Sequence, residues 1–107
     1  MSESSLRLVL CNCPKDKVDS LSRELVERRL AACVNVIPVV ASVYTWEGRV
    51  HVDEESTMLV KTTSARFGEL VSCLETLHPY DVPEIIEVPL GFVHRPYLDW
   101  ALEVTGE

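Results

Sequence analysis

The chain has 107 residues and is 47% hydrophobic, which suffices for a single domain over residues 1–107 and excludes a disordered chain. Its formal net charge of −7 argues against nucleic acid and against an anionic membrane surface as partners. No run of residues is long and apolar enough to cross a bilayer, so we expect no membrane insertion.

The N-terminal residues and the cysteines together predict the cell compartment. The first ten residues lack the basic and apolar regions of a signal peptide. We therefore predict a cytoplasmic protein with reduced thiols, although a targeting segment preceding residue 1 would change that compartment. The four thiols belong to Cys11, Cys13, Cys33 and Cys73.

The first half of the chain predicts a strand, a helix and a second strand. Leu6 to Cys13 is apolar on both sides and predicts a buried strand. The apolar spacing from Lys15 to Ala32 predicts an amphipathic helix. Cys33 to Ile37 is rich in β-branched residues and begins the second strand. Pro38 cannot donate a ladder hydrogen bond, so we expect a bulge or bend there.

A long hairpin is predicted over Val39–Thr63, with its tight turn at Glu47 and Gly48. Each arm would extend about 30 Å, roughly the diameter of a small domain, so the hairpin should project beyond its own core. Tyr44 and Trp46 lie near the tip, and exposed aromatic residues on edge strands need a partner. We expect that partner to be another copy of the chain, with Tyr44, Trp46 and Glu47 as assembly residues.

The second helix and the loop after it follow the hairpin. Ser64 is a plausible N-cap, and an i, i+3, i+4, i+7 stripe starting at Phe67 predicts the helix. Pro79 should end that helix near Leu77. The segment His78–Pro83 contains two prolines and predicts a loop.

A short strand over Glu84–Pro89 and a helix opened by Pro96 complete the prediction, with a frayed tail at Glu103–Glu107. The element order is β-α-β-β-α-β plus a short helix, which is the split-βαβ, ferredoxin-like α+β topology. Two helices would cover one face of a four-stranded antiparallel sheet. The other face is also apolar, and we expect oligomerisation to cover it.

Three residues could bind a metal. Cys11 and Cys13 form a C-x-C pair, and residues two apart in a strand share a face, where two thiols suit a soft ion such as Cu(I). The alternative is that Cys11 is a small buried hydrophobic residue, which is the commoner situation for free cysteine. His78 follows a helix, where its imidazole could bind a metal or cap the last carbonyls.

The remaining charged residues have simpler interpretations. Asp53–Glu55 could bind a hard cation but lacks a calcium-loop spacing, so a solvated acidic stretch is favoured. Lys61 and Glu84 could form a polar network at an interface or a site. The chain contains no nucleophile elbow, P-loop or dinucleotide fingerprint, so we predict no catalytic residues and no enzyme.

The chain resembles the CutA1 family of divalent-cation tolerance proteins in ordered blocks that cover about nine-tenths of its length. The blocks are Cys11 with Pro14, Leu30–Asn35 (LAACVN), Ser42–Gly48 (SVYTWEG), Lys61–Thr63 (KTT), His78–Ile85 (HPYDVPEI) and Tyr97–Trp100 (YLDW).

That resemblance implies a homotrimer of ferredoxin-like subunits, similar in architecture to PII signalling proteins, with strand pairing between subunits through the hairpin. It implies a role in tolerance of divalent metal ions, especially copper, and our leading prediction is metal binding without catalysis. The ligands that it implies are Cys11 and His78, with Cys13 as an additional candidate. Some members carry a second histidine directly before the His-Pro-Tyr motif, where this chain has Leu77.

An alternative follows from the PII-like architecture. A trimer of this kind could bind a small effector or a protein partner in clefts between subunits. The residues that could line such a cleft are Lys61, Tyr80 and Glu84.

Overall fold

The structure, a computed structural model, describes residues 6–107 and has the predicted α+β topology. Four strands form one sheet, and three helices connect or follow them. The elements are β1 (Leu6–Cys13), α1 (Val18–Glu27), β2 (Cys33–Trp46), β3 (Arg49–Thr63), α2 (Phe67–Leu77), β4 (Ile86–Val88) and α3 (Arg95–Val104).

The sheet is antiparallel throughout, with strand order β2-β3-β1-β4. β1 pairs along its whole length with the second half of β3, from Leu6 opposite Thr63 to Cys13 opposite Ser56. β4 adds only three residues to the other edge of β1. The last three residues of β1 therefore have no strand on the β4 side, and the loop that contains His78 lies there.

The core lies between the sheet and helices α1 and α2. Alternate residues of β1 and β3 are fully buried on this side, which we call the helix-side face: Val9, Cys11, Cys13, Met58 and Val60. Leu21, Leu25, Leu70 and Leu74 cover them from the helices. Amphipathic spacing in the sequence therefore produces the two-layer packing.

Pro38 produces the predicted bulge. The β2–β3 register shifts between Ile37 and Val40, so two residues of β2 lie opposite Ser56 alone. The Ser56 hydroxyl donates a 2.6 Å hydrogen bond to the Pro38 carbonyl oxygen. This bond satisfies a carbonyl that the interrupted ladder leaves free.

The first helix is shorter than the predicted Lys15–Ala32. It begins at Val18 because the residues before it form a turn, and it ends at Glu27 because Arg29 adopts a left-handed conformation with φ of 60°. The Ala32 amide then donates to the Lys61 carbonyl oxygen at 2.8 Å. The helical spacing continues past the true end because Leu30 also packs into the core.

Two local predictions are wrong. Ser64 does not cap α2: the N-cap residue is Arg66, and the Ser64 hydroxyl instead accepts a hydrogen bond from Arg7 Nε at 3.1 Å. The C-terminal tail does not fray. Thr105 is fully buried, and the Glu107 carboxylate accepts hydrogen bonds from Thr63 and Thr105.

The tail also changes how the second face of the sheet is covered. Thr63 lies opposite Leu6 on the face away from α1 and α2, so α3 and the tail pack over one end of this opposite face. Oligomerisation is therefore not needed to cover that end, whereas Ile37 and Ile86 on the same face remain exposed.

The hairpin projects beyond the core, as predicted, and gives the molecule extents of 45 × 26 × 22 Å. We call residues 33–38 with 56–63 the hairpin root, and residues 39–55 its distal half. The turn places Glu47 and Gly48 at positive φ, as a two-residue turn requires. In the part of the chain described, α1 and α2 cover the root but do not extend over the distal half, which has no helix packed on it.

Candidate functional site

Cys11 and His78 meet at one backbone oxygen. The His78 imidazole lies at the end of β1, where Nε2 is 2.7 Å from the carbonyl oxygen of Asn12. The Cys11 thiol is 3.8 Å from the same oxygen. A thiol and an imidazole that are 67 residues apart in sequence therefore point at one carbonyl group, and both are buried.

Backbone hydrogen bonds set the tautomer of His78. The Tyr80 amide donates to Nδ1 at 3.1 Å, so Nδ1 carries a lone pair and not a proton. The proton is therefore on Nε2, which donates to the Asn12 carbonyl oxygen. The turn at Pro79 places the Tyr80 amide within hydrogen-bonding distance of the His78 ring and so orients that ring.

Glu55 links Asn12 and Tyr80, the two residues hydrogen-bonded to His78, with both strands of the hairpin. Its carboxylate accepts hydrogen bonds from the Ser42 hydroxyl at 2.6 Å, from the Tyr80 hydroxyl at 2.7 Å and from Asn12 Nδ2 at 3.5 Å. The Asn12 side-chain oxygen in turn accepts from Thr57 at 2.7 Å. We call these residues, together with His78, the Asn12 cluster.

The cluster lies where the hairpin root meets the distal half, and it anchors the loop after α2. The Tyr80 ring lies 4.7 Å from the His78 ring, centroid to centroid. Burial and the neighbouring Glu55 carboxylate both raise the pKa of Tyr80, so its hydroxyl remains a donor. Glu55 therefore positions Tyr80, and Tyr80 positions His78.

Both thiols of the C-x-C pair are neutral in the folded chain. Burial raises the pKa of Cys11 to about 12, with further contributions from Cys13 and from the Glu84 and Glu55 carboxylates. Burial also raises the pKa of Cys13 to about 11. A nucleophilic or metal-binding cysteine acts as its thiolate, so these thiols are unreactive in this state.

The donors that could hold a metal are the Cys11 thiol, the His78 imidazole and the Asn12 carbonyl oxygen. Copper accepts thiolate and imidazole ligands, with a backbone oxygen as a weak further ligand. All three take part in hydrogen bonds, and a metal at Nε2 would require the His78 proton to move to the other nitrogen. Residues 6–107 contain no group of three His, Cys, Asp or Glu side chains arranged around a metal position.

The other candidate residues lie apart from the cluster or at its margin. The Lys61 ammonium contacts the Asn35 side chain, six residues along β3 from Glu55, or about 20 Å. Glu84 is half-buried and contributes to the electrostatics of Cys11. The proposed cleft of Lys61, Tyr80 and Glu84 therefore does not form within one chain.

The hairpin aromatics occupy the distal half. Tyr44 donates to the Asp53 carboxylate and stacks on His51 at 5.4 Å between ring centroids. Trp46 is about half exposed beside Glu47 in the turn. Their role in assembly stays a prediction.

Sequence reasoning missed Asn12, Ser42, Glu55 and Thr57. Asn12 was detectable, because it is a polar residue inside the otherwise apolar strand β1. Glu55 was interpreted with its acidic neighbours as solvated, and Glu54 does pair with Lys15 at the surface. Only the register, which brings Thr57 opposite Asn12, distinguishes Glu55 from Glu54.

Comparison with known proteins identifies the family. The family model described as "CutA1 divalent ion tolerance protein" matches residues 7–104. The chain belongs to the CutA1 family. The divalent-cation tolerance protein CutA of Thermus thermophilus is 46% identical over 92% of this chain and 97% of its own length. Its solved structure superimposes with a TM-score of 0.89 over 95% of this chain and all of that one.

Two further CutA1 relatives extend the comparison. Human protein CutA is 40% identical over 94% of this chain, which spans 57% of the human protein's length. The structure titled PII-like protein CutA from Nostoc is 31% identical, with a TM-score of 0.88 over 92% of this chain and 96% of that chain. CutA1 membership connects this chain with tolerance of divalent cations and with a PII-like fold.

Proposed function

We propose that the protein acts in divalent-cation tolerance as a homotrimer that binds copper, or another divalent cation, without catalysing a reaction. The observation that carries the metal proposal is the convergence of Cys11 Sγ and His78 Nε2 on the Asn12 carbonyl oxygen. A soft thiolate with an imidazole is a donor set that copper accepts.

Binding at this position requires two changes. The Cys11 thiol must lose its proton, and His78 must exchange its tautomer and give up the hydrogen bond from the Tyr80 amide. Only the thiol proton is released, because the tautomer exchange keeps the His78 proton on the ring, so the affinity should increase with pH through Cys11. Cys13, which lies two residues along the same face of β1, or a residue of a neighbouring subunit would complete the coordination.

Copper titration of matched variants tests this site. We expect Cys11→Ser and His78→Gln each to weaken copper binding by at least about tenfold, the smallest loss typical even of residues that only support a metal ligand. Cys73→Ser removes a buried thiol of α2 and serves as the control, with unchanged affinity. Unchanged copper binding in Cys11→Ser would remove this thiol from the site.

The trimer proposal rests on an uncovered apolar surface. Val43, Val50 and Val52 are 67%, 72% and 68% exposed, and they lie on neighbouring positions of one hairpin face. Val52 is six and eight residues from Met58 and Val60, so these valines continue the helix-side face beyond the helices. An apolar surface of this kind on a sheet edge is typical of an interface.

The molar mass in solution tests the assembly. We expect light scattering to give three times the chain mass for the wild type, and Val52→Asp to lower it. Thr76→Asp adds the same charge to an exposed position of α2 and should leave the mass unchanged. A wild-type monomer at all concentrations would contradict the proposal.

The second candidate function is a PII-like trimer that binds a small effector or a protein partner between subunits. It is favoured by the likeness to the Nostoc PII-like protein and by the hydrogen bonds that converge on Glu55, where the hairpin root meets the distal half. The cleft would combine Tyr80 and Glu84 of one subunit with Lys61 of another. A thermal-shift screen of nucleotides and small metabolites tests it, because a ligand that binds only the folded state raises Tm.

We propose the cytoplasm as the compartment, supported by four free cysteines and no disulfide in residues 6–107. Over that range, none of the helices has the length and apolar character to span a membrane. Relatives differ in this respect, since the rice protein is named chloroplastic and the Archaeoglobus fulgidus structure is titled periplasmic. Cell fractionation would decide the compartment.

A further inference from the structure

A groove separates helix α2 from the segment that leads into β4. Its volume is about 600 Å³, within the range of small-molecule sites. The half-buried Phe67, Val71 and Ile85 form an apolar floor beside Val9, which is fully buried in the core. Phe67 and Ile85 also pack against that core. The groove shares no lining residue with the Asn12 cluster.

Three carboxylates line the same groove: Glu75 of α2, Asp81 of the loop and Glu87 of β4. At one end, Arg7 already supplies a cation. Its Nη1 is 3.6 Å from Glu87, and its guanidinium lies 4.6 Å from the centre of the Phe67 ring. This end shows which chemistry the groove accommodates, namely a cation over an apolar surface beside a carboxylate.

The other end is also apolar, but its side chains are the aliphatic Val71 and Ile85, and it has no such cation. Between residues 6 and 107, no Lys, Arg or His forms an ion pair with Glu75 or Asp81. Both carboxylates are exposed at the rim, beside the half-buried Val71 and Ile85. An anion would be repelled here, and an inorganic cation would leave the apolar floor uncovered.

We propose that this groove binds a small organic cation with an apolar body, such as an alkyl or aryl ammonium compound. Its charged group lies between Glu75 and Asp81, and its apolar body lies on Val71 and Ile85. The complementarity combines two unneutralised carboxylates with a preformed apolar floor of small-molecule size. The inference does not depend on the metal proposal, since none of its residues lies in the Asn12 cluster.

Hexylammonium is the probe, titrated into the protein in its native assembly state while the methyl NMR signals of Val71 and Ile85 are followed. Methylammonium carries the charge without the chain, and hexanoate carries a chain with the opposite charge. We expect hexylammonium to shift both methyl signals and to bind at least about tenfold more tightly than methylammonium, because apolar area is buried. Hexanoate should produce no shift.

Paired charge removals locate the site. Glu75→Gln with Asp81→Asn should weaken hexylammonium binding by about tenfold, as expected for two exposed ion pairs. Glu27→Gln with Glu103→Gln removes the same total charge from α1 and α3 and should change binding less than about twofold. The comparison separates a local contact from the general attraction of an acidic protein.

Several results would overturn the proposal. Equal losses in the two double variants would show general charge attraction. Equal affinities for methylammonium and hexylammonium would show that the apolar floor does not contribute to binding. Absence of hexylammonium binding would also overturn the proposal. It would do so even if the groove were found to bind a basic peptide or the hairpin of a neighbouring subunit instead.

Discussion

The root and the distal half of the hairpin belong to the same two strands but have opposite surroundings. In β3, the residues from Ser56 to Thr63 are mostly buried under helices, whereas those from Arg49 to Glu54 are mostly exposed. The change occurs within one or two residues, at the bulge and at Glu55. Strand propensity alone therefore does not determine burial, because the distal half also has apolar side chains, such as Val50 and Val52, but no layer over them in its own chain.

The largest expected effect is a loss of folding stability in alkaline solution, and it arises at the root and not in the distal half. Cys11 and Cys13 pack opposite the root, and the folded chain raises their pKa from the ordinary value of 9.0 to about 12 and about 11. Below pH 9 both states keep the protons and the full stability is present. Above it the unfolded chain ionises first, so stability falls as the pH rises towards the folded values.

The loss should be about 1.4 kcal/mol per thiol for each pH unit above 9, or roughly 3 kcal/mol at pH 10 for the two together. Chemical denaturation from pH 8 to pH 10.5 measures it. The variant with Cys11→Ala and Cys13→Ala should lose this part of the slope. If wild type and variant had parallel pH profiles, the thiols would not be shielded by the root.

A matched pair of valines gives the next largest effect. Val60 in the root and Val52 in the distal half lie on the same face of β3, and Val60 is fully buried. Val60→Ala should lower the free energy of unfolding by about 2 kcal/mol at every protein concentration, through lost burial and a cavity.

Val52→Ala should behave differently because only a partner can bury Val52. We expect a change within about 0.5 kcal/mol for the dissociated chain and a larger loss at concentrations where the protein is assembled. Urea denaturation over a range of protein concentrations distinguishes the two. A concentration-independent effect of both variants would contradict the contrast between root and distal half.

The smallest expected change in the free energy of unfolding comes from removing either of two tyrosine–carboxylate hydrogen bonds. Tyr80 donates to Glu55, where the distal half meets the root, and Tyr44 donates to Asp53, closer to the tip. Tyr80→Phe should cost about 1 kcal/mol, the usual value for one hydrogen bond, and should shift the His78 ring signals in NMR spectra. Tyr44→Phe should leave the His78 signals unchanged, because Tyr44 contacts Asp53 and His51 rather than the His78 ring.

The sequence by itself determined the order of the elements, the turn at Glu47-Gly48, the bulge at Pro38 and the end of α2 before Pro79. These features depend on local chemistry: a residue that tolerates positive φ, a proline that cannot donate, and periodic apolar residues. The ordered motifs also identified the family. The sequence also suggested Cys11 and His78 as metal-binding candidates, which stays a prediction, and it did not show that the two side chains lie close together.

Only the tertiary structure decided which residues meet. Asn12 and His78 are 66 residues apart, and Glu55 reaches Tyr80 across 25 residues, so neither contact has a local signal. The same reason explains the errors. α1 ends early because the chain must turn back to Lys61 of β3, and the tail is ordered because Thr63 provides a distant hydrogen-bond donor for Glu107. Local sequence specifies each element, while long-range register specifies the site.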